Sequence, residues 1–194
     1  MPEVEAIRPG PERNFMPATH LALFRGINVG GKNMLPMKDL AAIFAAARAE
    51  DVRTFIQSGN VLFNAEPKNA PDISGRVLAT VKKRFGIEPP IVLRTSAQMR
   101  GVVKGNPYLD EPESERLYVM FLADRPKAAS VKGLDPNRSP SDRYTVVGTE
   151  IFMHLATGAA KTKLTNAYFD SKLATISTSR NWRTTTKLLE LMTG

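Results

Sequence analysis

Apolar residues along this chain recur at two spacings, and their alternation gives the order of elements. The run from His20 to Ile27 is nearly continuous in apolar residues, which predicts a strand buried on both faces. Leu40, Ile43, Phe44 and Ala47 then recur at helical spacing, with Pro36 suited to the first turn of that helix. Val52 to Gln57 and Val61 to Asn64 are short β-prone runs separated by Ser58-Gly59-Asn60, a hairpin signal. Ile73, Val77, Val81 and Phe85 line one face of a second helix, which Gly86 stops, and Ile91-Val92-Leu93 is another strand.

The second half repeats much of this order. A linking helix over Gln98 to Lys104 ends at Gly105-Asn106-Pro107, and Leu117 to Ala123 is a strong strand. Lys127 to Lys132 reads as a short helix and Asn137 to Asp142 as loop. Tyr144 to Val147 and Ile151 to Leu155 form a second hairpin turning at Gly148-Thr149-Glu150. Leu164, Ala167, Tyr168 and Ser171 mark a helix, which the charged run Lys161-Thr162-Lys163 and Asn166 open. Leu188, Leu189 and Met192 mark a terminal helix, and the last strand has only Thr175 to Thr178 as a candidate. The pattern predicts an α+β protein of two tandem ferredoxin-like (βαββαβ) halves, residues 19–105 and 106–194, the second degenerate. Residues 1–18 read as a flexible extension, because Pro2, Pro9, Gly10, Pro11 and Pro17 break any helix and little there can be buried. Met16 is an alternative start to Met1.

Composition narrows the function classes. There is no cysteine, so disulfides, thiolate metal sites and cysteine nucleophiles are excluded, and His20 and His154 are the only histidines, too few for a metal cluster. No metal and no cofactor is therefore expected. No apolar run is long enough to span a bilayer, and no basic-then-apolar leader opens the chain, which fits a cytoplasmic protein. The net charge of +8 is concentrated in residues 19–105 and 160–194. An excess of this kind serves either an anion-binding face or ordinary surface solvation.

Two polar stretches are candidates for chemistry. Gly26-Ile27-Asn28-Val29-Gly30-Gly31-Lys32-Asn33 nearly matches the phosphate-binding pattern G-x-x-x-x-G-K-[ST]. Asn33 stands where a hydroxyl should hold magnesium, Pro36 interrupts the helix such a loop requires, and a hairpin belongs to an antiparallel sheet, so nucleotide hydrolysis of that type is disfavoured. A weaker anion site remains, with Gly30 and Gly31 allowing close approach, Lys32 a charge, Arg25 a second cation, and Asn28 and Asn33 amides. The alternative is a turn that needs glycine for its geometry alone. In Thr178-Ser179-Arg180-Asn181-Trp182-Arg183-Thr184, Trp182 can stack on a ring while Arg180 or Arg183 takes an anion; otherwise Trp182 anchors the core and Thr184 or Thr185 caps the last helix.

The run Leu23-Phe24-Arg25-Gly26-Ile27-Asn28-Val29-Gly30-Gly31-Lys32-Asn33, with Ile56-Gln57-Ser58-Gly59-Asn60-Val61 and Ser179-Arg180-Asn181-Trp182, resembles the motifs of the family catalogued as domain of unknown function 1697. The resemblance covers about residues 20–193 and implies a duplicated α+β unit with no established activity. No catalytic set emerges from the residues. Three functions stand: binding of a phosphorylated or otherwise anionic small molecule, binding of nucleic acid, and a structural or interaction role. The expected site is Arg25, Asn28, Gly30, Gly31, Lys32 and Asn33 together with Arg180, Asn181 and Trp182.

Overall fold

The computed structural model describes residues 17–111 and 113–194. The expected N-terminal extension up to Met16, and the choice between Met1 and Met16 as start, lie outside the described residues. Eight strands form two four-stranded antiparallel sheets. The first contains β1 (His20–Phe24), β2 (Glu50–Phe55), β3 (Asn60–Asn64) and β4 (Ile91–Thr95), in the order β2-β3-β1-β4. The second contains β5 (Leu117–Leu122), β6 (Arg143–Val147), β7 (Glu150–His154) and β8 (Ser177–Asn181), in the order β6-β7-β5-β8. Among the described residues there are six α-helices: α1 (Met37–Ala46), α2 (Ala70–Phe85), α3 (Ser96–Lys104), α4 (Ala128–Lys132), α5 (Asn166–Leu173) and α6 (Trp182–Thr193).

The last strand corrects the sequence reading. It begins at Ser177 rather than Thr175 and takes in Ser179-Arg180-Asn181. That stretch is too polar to read as a strand, yet it pairs along its whole length with β5, from Tyr118↔Asn181 to Leu122↔Ser177. The second sheet is thus complete and has the same strand order as the first. Lys161 to Lys163 also lie outside the helix they were expected to open, since Thr165 caps α5 by accepting from the Tyr168 N–H.

Three apolar layers hold the elements together. Alternation along β1 sends Ala22 and Phe24 toward α1 and α2, and Leu21 and Leu23 toward the other sheet. Along β5, Met120 and Leu122 join the layer under α4 and α5, while Val119 and Phe121 join the central layer. These strands are apolar throughout because both of their faces are covered. The central layer also takes Met99 and Val102 of α3 and Trp182, Leu188 and Met192 of α6, so the two sheets and these two helices share one core.

Two buried arginines cross that central interface in opposite directions. Each is the fourth residue of the last strand of its sheet and directly precedes the cap of the following helix. Arg94 donates to Leu122 O at 2.7 Å, to Thr149 O at 3.0 Å and to Glu150 at 2.9 Å, all in the second half. Arg180 donates to Phe24 O at 2.8 Å, to Ser58 O at 3.2 Å, to Gly59 O at 3.4 Å and to Asn60 Oδ1 at 2.6 Å, all in the first. The targets are equivalent: the end of the central strand, the hairpin turn, and the first residue after it. The turns themselves match, with Phe24 N–H donating to Gly59 O and Leu122 N–H to Thr149 O, both at 2.8 Å.

Replacing either guanidinium removes a charged donor from several buried acceptors that span the interface. Arg180→Met and Arg94→Met should each destabilise the fold by about 3–5 kcal/mol, and Arg180→Lys should fail to rescue because an ammonium cannot reach six acceptors on three segments. Thermal unfolding should show Tm lower by roughly 6–15 °C; a shift within error for both variants would show that the clasp contributes nothing.

A second polar anchor orders the loop between β7 and α5. Burial acts to raise the Asp142 carboxyl, but hydrogen bonds from Ser139, Thr162 and the backbone of Thr157 and Ala156 outweigh it and hold the group below its ordinary value. A carboxyl lowered by folding stabilises the protein above its unfolded value of about 3.9, and that contribution is lost as pH falls through the folded value. Asp142→Asn should therefore lower stability at neutral pH and flatten the decline below about pH 4, as measured by denaturant unfolding across pH.

Candidate functional site

The chain between β1 and α1, residues 25–36, and the β2–β3 turn, residues 56–59, are longer than their counterparts in the second half, residues 123–127 and 148–149. Residues with positive φ concentrate there. Gly26, Asn28, Gly30, Gly31, Asn33, Ile56 and Gly59 all have φ between 50° and 75°. For Ile56 this is a costly conformation, since its branched Cβ crowds the backbone. Asn28 joins the two segments: its amide donates to Leu35 O and Gln57 O, both at 2.9 Å, and its Oδ1 accepts from the Leu35 N–H. Val29, Met34 and Ile56, each next to one of these stapled residues, are left exposed.

Most of the residues singled out in the sequence are used internally. Arg25 pairs with Asp170 at 2.5 Å and donates to Ser177 O at 2.8 Å. Asn33 donates to Gly26 O at 2.9 Å and Asn28 is the staple. Gly30 and Gly31 are exposed, and a Cβ at either would meet nothing, so the backbone angle rather than a close approach is what requires glycine. Lys32 lies exposed on the same tip, with no ion pair among the described residues. Trp182 is in the core, and Asn181 caps α6 by accepting from the Thr184 N–H at 2.8 Å. All the guanidinium nitrogens of Arg180 are bonded within the protein, including Nη1 to Thr178 Oγ1 and Ser179 O.

The two stretches do meet. Beside the β2–β3 hairpin lies a groove of about 330 Å³ whose walls include Gly26, Val29, Ser58, Asn166, Ser179 and Arg180. On the α6 side of the same hairpin is a larger groove of about 720 Å³, bounded by Phe55, Ile56, Asn181, Arg183, Thr184 and Lys187. The two grooves share no lining residue: Arg180 lines the first, and Asn181, the next residue along β8, lines the second.

The second half supplies an internal comparison. Its hairpin and α3 enclose a groove of only about 140 Å³, bounded by Gln98, Gly101, Gly105, Val147 and Thr149. Aligning Arg94 with Arg180 sets Ala97 against Arg183, Gly101 against Lys187 and Glu150 against Asn60. Arg94 thus has a carboxylate at 2.9 Å, whereas Arg180 has the neutral Asn60 at the equivalent place and no ion pair among the described residues. Burial pushes the Arg180 guanidinium down to about 10, which leaves it protonated at neutral pH. The charge of Arg180 is therefore solvated only by dipoles, and the field it creates extends into the grooves beside the β2–β3 hairpin.

Asp170 and Ser177 were missed by sequence reasoning as parts of this region, and Arg183 entered it only as an alternative to Arg180. Asn60 reads as a turn residue, and nothing local marks it as the substitute for a counter-charge. The available signal was the repeat of Arg-Thr at 94–95 and Arg-Asn at 180–181, each opening a helix.

Relieving the strain at the hairpin separates structure from use. Ile56→Asn should stabilise the protein by about 1 kcal/mol, because asparagine tolerates positive φ, and calorimetry should show Tm higher by roughly 2–4 °C.

Comparison with known proteins gives fold and kinship. The structure of the conserved bacterial protein SP0830 from Streptococcus pneumoniae is similar, with a TM-score of 0.68 at 19% identity over 90% of this chain and 98% of that one. No curated protein matches the chain. The family model described as protein of unknown function (DUF1697) matches residues 18–152, well over half of the sequence. The chain belongs to the DUF1697 family.

Proposed function

We propose that two ferredoxin-like halves, residues 19–105 and 106–194, form a cytoplasmic protein that binds a phosphorylated or otherwise anionic small molecule in the groove between the β2–β3 hairpin and the first turns of α6. The observation that carries this reading is the asymmetry between the halves. Where one hairpin offers Glu150 to its arginine, the other offers Asn60, and a wide groove opens between that hairpin and α6. Arg183 adds an exposed cation on the rim, and Lys187 a second that is shared with Glu190 at 2.6 Å. Phe55 and Ile56 give the groove an apolar side against which a ring or alkyl portion can rest. Compared with the sequence-based site, the centre moves from Lys32 toward Arg183, and Arg180 acts through its field instead of by direct contact.

Nucleic-acid binding has weaker support. Modules of this architecture read RNA with aromatics on an open sheet face. Here Phe24 and Phe63 are fully buried under α1 and α2, and the opposite face of that sheet meets the second sheet.

The test is a substitution that copies the other half. Asn60→Asp places a carboxylate at the Arg180 guanidinium, as Glu150 does for Arg94. Isothermal titration with inorganic phosphate and with nucleoside phosphates should show at least one ligand whose affinity falls about tenfold or more in Asn60→Asp and in Arg183→Ala, one charge-assisted hydrogen bond being worth roughly 1.5–3 kcal/mol. The Tm of Arg183→Ala should stay near that of the parent, whereas Asn60→Asp gives up the amide's donation to Phe55 O and Ser58 Oγ, so its titration is read only after its far-ultraviolet spectrum shows it folded. Unchanged binding in both would place the anion elsewhere, and binding that weakens steeply with salt only for polynucleotides would favour nucleic acid.

A further inference from the structure

Each sheet has two edge strands; β4 and β8 approach one another at the interface between the sheets, and the remaining two, β2 and β6, differ in a way that points to a partner. An unpaired strand edge invites association unless charge or irregularity blocks it. β2 is blocked. Its sequence opens Glu50-Asp51-Val52-Arg53, its register against β3 shifts between Glu50 and Arg53, and Asp51 has φ of 47°. β6 has neither defence. Its register against β7 runs unbroken from Arg143↔His154 to Val147↔Glu150, and only its first residue is charged. That charge is already taken, since Arg143 pairs with Glu111 at 2.7 Å. Among the described residues no other strand pairs with the outer side of β6. Val147 at its end is 47% exposed, and Leu109, next to the Tyr108 that holds Thr145, is 48% exposed.

The strand is also complementary to itself. A two-residue turn at Gly148-Thr149 closes on Val147↔Glu150, so the ladder with β7 uses the backbone of Arg143, Thr145 and Val147. The N–H and C=O groups of Tyr144 and Val146 face outward. An antiparallel two-fold centred on Thr145 pairs Tyr144 with Val146 of a second copy, and these are the residues with free backbone groups. The side chains agree: Thr145 meets Thr145, the aromatic Tyr144 meets the β-branched Val146, and Arg143 meets Val147, with no like charges opposed. The Thr–Thr and aromatic–β-branched pairs are of types that are favourable across antiparallel strands.

We propose that β6 is the surface through which two copies of this chain associate, edge to edge in that register, joining their second sheets into one continuous eight-stranded sheet. This inference is independent of the anion site, which lies at the hairpin of the first sheet.

The absence of cysteine makes the test direct. In the proposed register the Thr145 positions form a non-hydrogen-bonded pair with Cα atoms about 4.5 Å apart, within the span a disulfide needs. Thr145→Cys should cross-link to a dimer under mild oxidation, and Val147→Cys, which faces Arg143 of the second copy, should not. Sedimentation should show a concentration-dependent dimer for the parent chain. Its dissociation constant should rise at least tenfold in Thr145→Lys, which sets two lysines opposite each other. A far-ultraviolet spectrum and Tm close to the parent's would exclude simple unfolding of that variant. A parent chain that stays monomeric at the highest concentration reached overturns the proposal. So does a dimer that Thr145→Cys fails to cross-link, or one in which Val147→Cys cross-links equally well, because the copies then meet elsewhere or in another register.

Discussion

The reciprocal clasp of Arg94 and Arg180 is the constraint on which the rest of the arrangement depends. A guanidinium buried at an interface must have its N–H groups satisfied, and the carbonyls at the end of a central strand and in a hairpin turn face the same demand. Each half meets the other's demand. Leu122 O and Thr149 O accept from Arg94, and Phe24 O, Ser58 O and Gly59 O accept from Arg180. The apolar central layer drives the two sheets together without fixing their relative position, because the hydrophobic effect is not directional. The arginines supply direction, since each bond is made only when a strand end and a turn of the opposite half come to the right place.

The shared strand order of the two sheets also allows the molecule to be compared with itself. Where the halves agree, the common feature is what the architecture requires: the strand order, the arginine before each interface helix, and the bond from the central strand to the hairpin turn. Where they differ, something other than folding has shaped the residues. The differences fall at the two hairpins and the two edges. In the first half the hairpin is longer, strained at Ile56 and neutral at Asn60, while its edge strand is irregular and charged. In the second half the hairpin is short and acidic at Glu150, while its edge strand is regular and nearly uncharged.

Much of the fold was legible in the sequence because periodicity reports burial. β1 from Leu21 to Phe24 and β5 from Val119 to Leu122 are apolar on every residue since sheet and helix layers enclose both faces, and the α2 stripe of Ile73, Val77 and Val81 is buried as its spacing implies. Gly86 ends α2 in the left-handed conformation that only glycine adopts without cost. The exception is β8, whose Ser-Thr-Ser-Arg-Asn sequence carries no strand signal. Its stability comes from pairing with β5 and from the acceptors that Arg180 finds in the other half, and neither contribution is local.

The sequence by itself therefore determined the order of elements, the antiparallel hairpins and the absence of cysteine chemistry, because these follow from local spacing and residue type. Only the tertiary structure decided what the polar residues do. Arg180 and Trp182, adjacent to the same cap, go respectively into a buried network and a core; Asn28 becomes a staple and Arg25 an ion pair. A polar side chain has the same sequence signature whether it faces a ligand, water or another strand's carbonyl. Which of these it meets is set by segments distant in the chain, here by Phe24 and Asn60 brought against β8, and that information lies in the packing of two halves and not in the spacing of either.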